Sequence, residues 1–158
     1  IYSEGYFRKN QFSLDLLFTK SGKVSNALVI IPTYNEKENI TFIIEAVLAL
    51  PKDFHLLIVD DGSPDGTAEI VKALQQQFNT SETKLHLLQR SGKQGLGTAY
   101  IAGFKYGLQH GYEYLLEMDA DFSHDPKDLI PLYLSCAEKG FDLSIGSRYA
   151  TGVNVVNW

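Results

Sequence analysis

Continuous apolar runs alternate with amphipathic stretches along most of this chain. The first run is Ala27-Leu28-Val29-Ile30-Ile31. A run that is apolar at every position is what a strand buried on both faces requires. Pro32-Thr33-Tyr34-Asn35-Glu36 breaks it. Ile40, Ile43, Ile44, Val47 and Leu48 then recur at helical spacing and predict a helix ending near Pro51. The cycle repeats. Residues 55–59 form a second apolar run, 60–66 a turn rich in Asp, Gly, Ser and Pro, and 67–78 a helix carrying Ile70, Val71 and Leu74 on one face. Residues 85–88 read as a third strand. The loop Arg90-Ser91-Gly92-Lys93-Gln94-Gly95-Leu96-Gly97 leads into a helix through Ala99, Ala102, Phe104 and Leu108. Residues 112–118 are a fourth strand. A helix over 126–139 opens with Asp125 as cap and Pro126 in its first turn, and 142–146 is a short fifth strand.

Strands alternating with helices predict an α/β fold: a mostly parallel sheet covered on both faces, with right-handed crossovers. In open sheets of this kind ligands sit beyond the carboxyl ends of the strands. The polar turns at 32–36, 60–63 and 119–123 all follow strand ends, so they are expected to converge on one edge. Residues 1–25 have no clean period and are read as an extension outside the fold, which leaves 26–158 as one domain. There is no internal repeat and no low-complexity segment.

Composition changes this picture little. The 158 residues are 44% hydrophobic and 21% charged, ordinary for a globular domain with a buried core. A net charge of -5 argues against a nucleic-acid binder, whose surface is normally basic. The single cysteine, Cys136, excludes an internal disulfide and fits a reducing compartment. Its helical neighbours Leu132, Leu134 and Ala137 predict a core thiol rather than a nucleophile. No apolar run reaches about 18 residues, and the stretch 14–18 is too short for a signal-peptide core. The chain begins with Ile1 and ends at Trp158, and is read as a fragment.

The candidate chemistry lies in the turns. Asp119-Ala120-Asp121 places two carboxylates after an apolar strand. Hard oxygens so spaced suit Mg2+ or Mn2+ carrying a diphosphate; the alternative is a pair of strand-end carboxylates capping backbone amides. Asp60-Asp61-Gly62-Ser63 is either a solvated turn with a helix cap near Asp65 or Thr67, or a source of one aspartate for a base or ribose. Tyr34 and Glu36 could surround a nucleoside. The glycine loop fails both the Walker and the dinucleotide patterns. It reads as a mobile cover with Arg90 and Lys93 near phosphate or base, or as a plain connection. His124 is a possible third metal ligand or a loop residue. Arg148 has the geometry to pair with a phosphate.

Taken in order, Val29 to Glu36, Val59 to Thr67, Gly95-Leu96-Gly97-Thr98-Ala99, Met118-Asp119-Ala120-Asp121 and Gly146-Ser147-Arg148-Tyr149 resemble a family 2 glycosyltransferase, most closely the polyprenol monophosphomannose synthase group. The resemblance implies a GT-A fold, Rossmann-like with three α/β/α layers, truncated at its C-terminal end. It implies inverting transfer of mannose from GDP-mannose to a polyprenyl phosphate with Mg2+ or Mn2+. Pro32, Tyr34, Glu36 and Asp61 match nucleoside-binding positions, and Gly95 and Gly97 belong to the donor-binding loop. Asp119 and Asp121 match the metal and diphosphate positions and, with Arg148, form the implied catalytic set. Some members carry Gln two residues after the second aspartate, where this chain has Ser123. A phosphate acceptor is already anionic, so no general base is nominated.

In the family the catalytic domain continues well past the position of Trp158, with acceptor-binding and membrane-meeting segments. This fragment is therefore expected to turn over poorly. A cytosolic donor implies the cytoplasmic face of a membrane. Val24 lies where family members tend to begin and is read as a candidate start. The rival readings are a UDP-sugar donor and a non-catalytic nucleotide-binding domain.

Overall fold

The apolar run at the start of the fold becomes the strand around which the rest is arranged. In the computed structural model, which describes residues 25–147, β1 (Ala27–Thr33) is buried at every position except Pro32. β2 (His55–Asp60) is buried throughout. With β3 (Leu85–Gln89) and β4 (Tyr114–Glu117) they form a parallel sheet in the order β3-β2-β1-β4. Right-handed crossovers then dictate the layers. α1 (Ile40–Leu48) and α2 (Thr67–Phe78) belong to steps in one direction across the sheet, so they share a face. α3 (Leu96–Gln109) belongs to the return step from β3 to β4, so it covers the other face. The strand order therefore reverses between β1 and β4. In open α/β sheets that reversal point is where the crevice beyond the strands opens.

One residue sets the shape of this crevice. The Ile30 carbonyl accepts the Met118 amide at 3.2 Å. In a parallel ladder the next donor from β1 toward β4 would be the amide two residues on, at Pro32, which has no N–H. Pairing between the two strands stops there, and the chain leaves the sheet just before Asp119. On its other side β1 continues: the Asp61 amide reaches the Thr33 carbonyl at 3.0 Å.

α3 lies close against the sheet because its inward face carries glycines. Ala99, Gly103 and Gly107 are its buried positions. A Cβ on Gly103 would stand 2.4 Å from Ile30 Cγ2, and one on Gly107 2.4 Å from Leu115 Cδ2. Gly103→Ala is therefore expected to lose about 1–3 kcal/mol of stability through overpacking, despite alanine's higher helix propensity. Urea unfolding checks this; a variant as stable as the parent would contradict the close seating of α3.

A polar cluster closes the opposite, amino-terminal edge of the sheet. Tyr112 Oη lies 2.7 Å from His55 Nδ1 and 3.0 Å from His86 Nε2, and Tyr106 Oη lies 2.9 Å from His86 Nδ1. His55 Nε2 is buried without a hydrogen-bond partner among the described residues. Burial, with His55 and His110 adding, pushes His86 down to about 4; burial also lowers His55. The fold holds the neutral imidazole. As pH falls from 6.5 to 4 the unfolded chain takes up a proton that the folded chain refuses, so stability falls across that window and levels off below it. The loss from His86 is expected to be about 2 kcal/mol after allowance for its partial exposure. Urea midpoints between pH 7.5 and 4.5 should slope less in His86→Gln; equal slopes would contradict this.

The structure departs from the sequence reading at several points. The fourth strand is shorter than 112–118: it begins at Tyr114, opposite the first residue of β1, and ends at Glu117, where the missing Pro32 donor stops the ladder. The helix expected over 126–139 is a 3-10 turn, Pro126–Asp128, followed by α4 (Leu129–Ala137); Asp125 Oδ1 accepts the Lys127 amide at 2.9 Å, as a cap does. Residues 142–146 form no strand: Leu143 and Ile145 are exposed, and a strand needs a neighbour to satisfy its backbone. Ser25, placed in the extension, is buried and donates to the Asp53 carbonyl at 2.5 Å. Cys136 is only partly buried. The compact unit Ser25–Lys127 is distinct from the described residues 128–147. The expected extension over 1–24, the start at Val24 and Arg148 lie outside the described residues.

Candidate active site

The turn after β2 separates its two aspartates by role. Asp60 is fully buried. Its Oδ1 accepts the hydroxyls of Thr33 at 3.0 Å and Ser63 at 2.5 Å, and its Oδ2 the Ser63 amide at 3.0 Å. It is spent on the turn. Ser63 passes the order on, its Oγ accepting the Asn35 amide at 3.0 Å. Thr67 Oγ1 accepts the Glu36 amide at 3.1 Å, and Asp65 Oδ2 the Lys37 amide at 3.1 Å. Asp65 Oδ1 also takes the Thr67 amide and hydroxyl. Burial acts to raise the Asp65 carboxyl, but the Thr67 and Lys37 donors outweigh it and hold the group below the usual range. The loop 34–37 is thus tied to the turn 63–67. Glu36 opens α1 through its carbonyl, and its Oε2 accepts the Asn39 side-chain amide at 3.1 Å.

Asp61 is held differently. Its Oδ2 accepts the Gln94 amide at 3.0 Å, and Arg90 Nε lies 3.2 Å from its Oδ1. The two side chains are only 7% and 9% exposed. Arg90 Nη2 donates to Thr98 Oγ1 at 2.7 Å in the first turn of α3. The Nε contact is an ion pair outside hydrogen-bond geometry, so Asp61 Oδ1 and Arg90 Nη1 are both buried without a hydrogen-bond partner among the described residues. An unspent acceptor and an unspent donor therefore belong to one buried pair. The turn and the glycine loop meet closely: a Cβ on Gly62, at φ +70°, would stand 3.2 Å from Gly92 Cα. Lys93 Nζ lies 4.6 Å over the Tyr34 ring. Gly95, at φ +98°, precedes α3, and its carbonyl accepts the Thr98 and Ala99 amides; Gly97 is exposed within the first turn.

Across the crevice, Asp119 is partly buried and Asp121 exposed. Tyr100 donates its hydroxyl to Asp119 Oδ1 at 2.8 Å. Burial first, and then that hydrogen bond, push the phenol well above its ordinary range, so it stays a donor. Asp121 Oδ1 accepts the Ser123 amide at 2.9 Å. That backbone bond and the Ser123 side chain hold the Asp121 carboxyl below the usual range, keeping it ionised. Burial and the nearby Asp119 push Glu117 up. His124 Nδ1 lies 3.2 Å from Ser123 Oγ. No group of three or more His, Cys, Asp or Glu gathers around a cation position among the described residues, so His124 does not complete a set. Two carboxylates alone still suit Mg2+ or Mn2+, which keep water and substrate phosphates as their other ligands. The Oδ2 atom of Asp119 makes no hydrogen bond among the described residues, and Asp121 is exposed.

The expected residues thus reach one edge: Pro32, Tyr34, Glu36 and Asp61 on one side, Asp119 and Asp121 on the other, Gly95 and Gly97 at the mouth of α3. Sequence reading passed over Tyr100. It also placed Arg90 near a ligand without seeing that it pairs with Asp61. The available signal for Tyr100 was a polar-tipped aromatic one turn into a helix that begins at the same edge.

Comparison with known proteins bears on this arrangement. Residues 28–158 match Glycosyl transferase family 2. The polyprenol monophosphomannose synthase of Mycolicibacterium smegmatis is 49% identical over 131 residues, 83% of this chain and 48% of that protein. The undecaprenyl-phosphate mannosyltransferase of Micrococcus luteus is 44% identical over 131 residues, 83% of this chain and 51% of that protein. The chain thus spans about half the length of these curated relatives. Among solved structures, S. aureus TarS 1-349 in complex with UDP is similar at 28% identity and a TM-score of 0.51, over 68% of this chain and 31% of that one. The parallel sheet with helices on both faces is the GT-A fold, and the chain belongs to glycosyl transferase family 2.

Proposed function

We propose that this chain is the donor-binding half of an enzyme that transfers mannose, with inversion, from GDP-mannose to a polyprenyl phosphate. The observation that carries the reading is the buried Asp61–Arg90 pair, with an acceptor and a donor unspent, in the same crevice as Asp119 and Asp121. A guanine lactam edge offers an adjacent N–H and C=O to such a pair. Tyr34 supplies a ring face beside it, and Lys93 above that ring supplies a cation within reach of a phosphate. Asp119 and Asp121 would hold Mg2+ or Mn2+. When bound, the ion would neutralise charge on the departing diphosphate. The acceptor phosphate is ionised at neutral pH, so these residues have to orient and screen rather than remove a proton. The names of both curated relatives, one a monophosphomannose synthase and one a mannosyltransferase on undecaprenyl phosphate, support the sugar and the acceptor class. A cytosolic donor and a lipid acceptor place the reaction at the cytoplasmic face of a membrane.

A second reading has a specific observation behind it. The imide edge of uracil offers the same N–H and C=O, and the similar TarS structure holds UDP. A UDP-sugar donor is therefore the alternative. Transfer from labelled GDP-mannose and UDP-glucose to polyprenyl phosphate by the full-length protein tests both. Mannosyl transfer that Asp121→Ala abolishes is expected. Transfer from UDP-glucose alone would install the second reading. Nucleotide binding without transfer from either donor would make this a non-catalytic binding domain.

A further inference from the structure

Asp119 is poorly fixed by the sheet. It comes immediately after the last residue bonded to β1, where Pro32 ends the ladder. Its carboxylate is aimed instead by a side chain from α3. Tyr100 is partly buried and packs against the buried cluster of Leu28, Ile30, Leu57, Val59 and Ala99, and its hydroxyl donates to Asp119 Oδ1 at 2.8 Å. No other described side chain hydrogen-bonds that carboxylate. The ring is anchored in the core on the α3 face, so the hydroxyl has a fixed position and can transmit one.

We propose that Tyr100 is a positioning residue that fixes the Asp119 carboxylate for the divalent cation accompanying the donor diphosphate, and thereby sets cation affinity. This rests on Asp119 and Asp121 being the cation-binding pair of the proposed function. A phenol has one proton to donate, and it is committed to Oδ1. Asp119 Oδ2 makes no hydrogen bond among the described residues and would be the oxygen turned to the cation, with the Tyr100 bond to Oδ1 holding the carboxylate plane. Such outer partners typically change metal affinity 10–100-fold when removed. The same two turns of α3 carry Thr98, which holds Arg90 against Asp61. One helix end thereby places both the base-facing pair and the cation-facing carboxylate, on opposite sides of the crevice.

Tyr100→Phe removes the hydroxyl and keeps the ring. The test is Mn2+ affinity, read from the electron paramagnetic resonance signal of free Mn2+ in the presence of GDP. The full chain is compared with Tyr100→Phe, Asp119→Asn and the double variant, and thermal melting is followed alongside. Tyr100→Phe is expected to bind Mn2+ roughly 10–100-fold more weakly with a melting temperature close to the parent's. In the Asp119→Asn background the same change should cost nothing further, because the hydroxyl acts through that carboxylate. Mn2+ affinity within twofold of the parent, or an equal loss in both backgrounds, would overturn the proposal while the site reading stands. A parent chain that binds no Mn2+ with GDP or with UDP would overturn the site reading, and the proposal with it.

Discussion

Asp60→Ala is expected to cost about 3–5 kcal/mol of stability. Three donors end on this carboxylate: the Thr33 and Ser63 hydroxyls and the Ser63 amide. A hydrogen bond to a charged acceptor is worth about 1.5–3 kcal/mol, and a buried donor left without one costs a comparable amount. The three share one acceptor and do not add fully. Against the 5–15 kcal/mol that holds an ordinary domain together, such a loss brings the chain close to unfolding. The damage also spreads, since Ser63 is what holds the Asn35 amide. Asp60→Asn retains one acceptor oxygen and should lose about half as much. Guanidinium unfolding of both variants checks this. A loss below about 1 kcal/mol for alanine would show that the turn keeps its shape without the carboxylate.

Asp61→Ala is expected to cost a similar amount by a different route. It leaves the Arg90 guanidinium, 9% exposed, without its counter-charge. Breaking a buried ion pair from one side typically costs about 3–5 kcal/mol because the surviving charge is uncompensated. Arg90→Ala strands Asp61 in the same way. Removing both strands neither, so the double variant should be more stable than the sum of the single losses implies. Unfolding free energies of the four proteins form the cycle. Additive losses would mean that the 3.2 Å approach carries no coupling. All three variants should also lose nucleotide binding, since the unspent acceptor and donor belong to this pair.

Much of this arrangement is legible before any coordinates. Ile30, Ile31, Ile58 and Val59 sit in runs too apolar for anything but strands covered on both sides, and the alternation with helices fixes a parallel sheet. A parallel sheet, in turn, brings the turns after β1, β2 and β4 to one edge. Other features are not local. Asp60 and Asp61 are chemically identical neighbours at a strand end, and adjacent residues point to opposite faces. Both are buried, and which one is spent on the turn depends on Thr33 and Ser63, which only the fold brings near. Tyr100 and Asp119 are 19 positions apart, and no spacing rule joins them. The fifth strand failed for a related reason: Leu143 and Ile145 have the alternation of a strand, but pairing is a property of two segments and no partner is present among the described residues.

Two carboxylates and a buried donor–acceptor pair in one crevice amount to a claim that the chain binds a nucleoside diphosphate together with a divalent cation. Thermal unfolding with GDP or UDP, each with and without Mn2+, tests it most directly. GDP with Mn2+ at a hundredfold over its Kd should add about 2.7 kcal/mol, with little gain when either component is omitted and none in Asp121→Ala. A larger shift with UDP would keep the claim and change the donor. No shift with either nucleotide in the presence of Mn2+, or a shift that Asp121→Ala leaves intact, would contradict it.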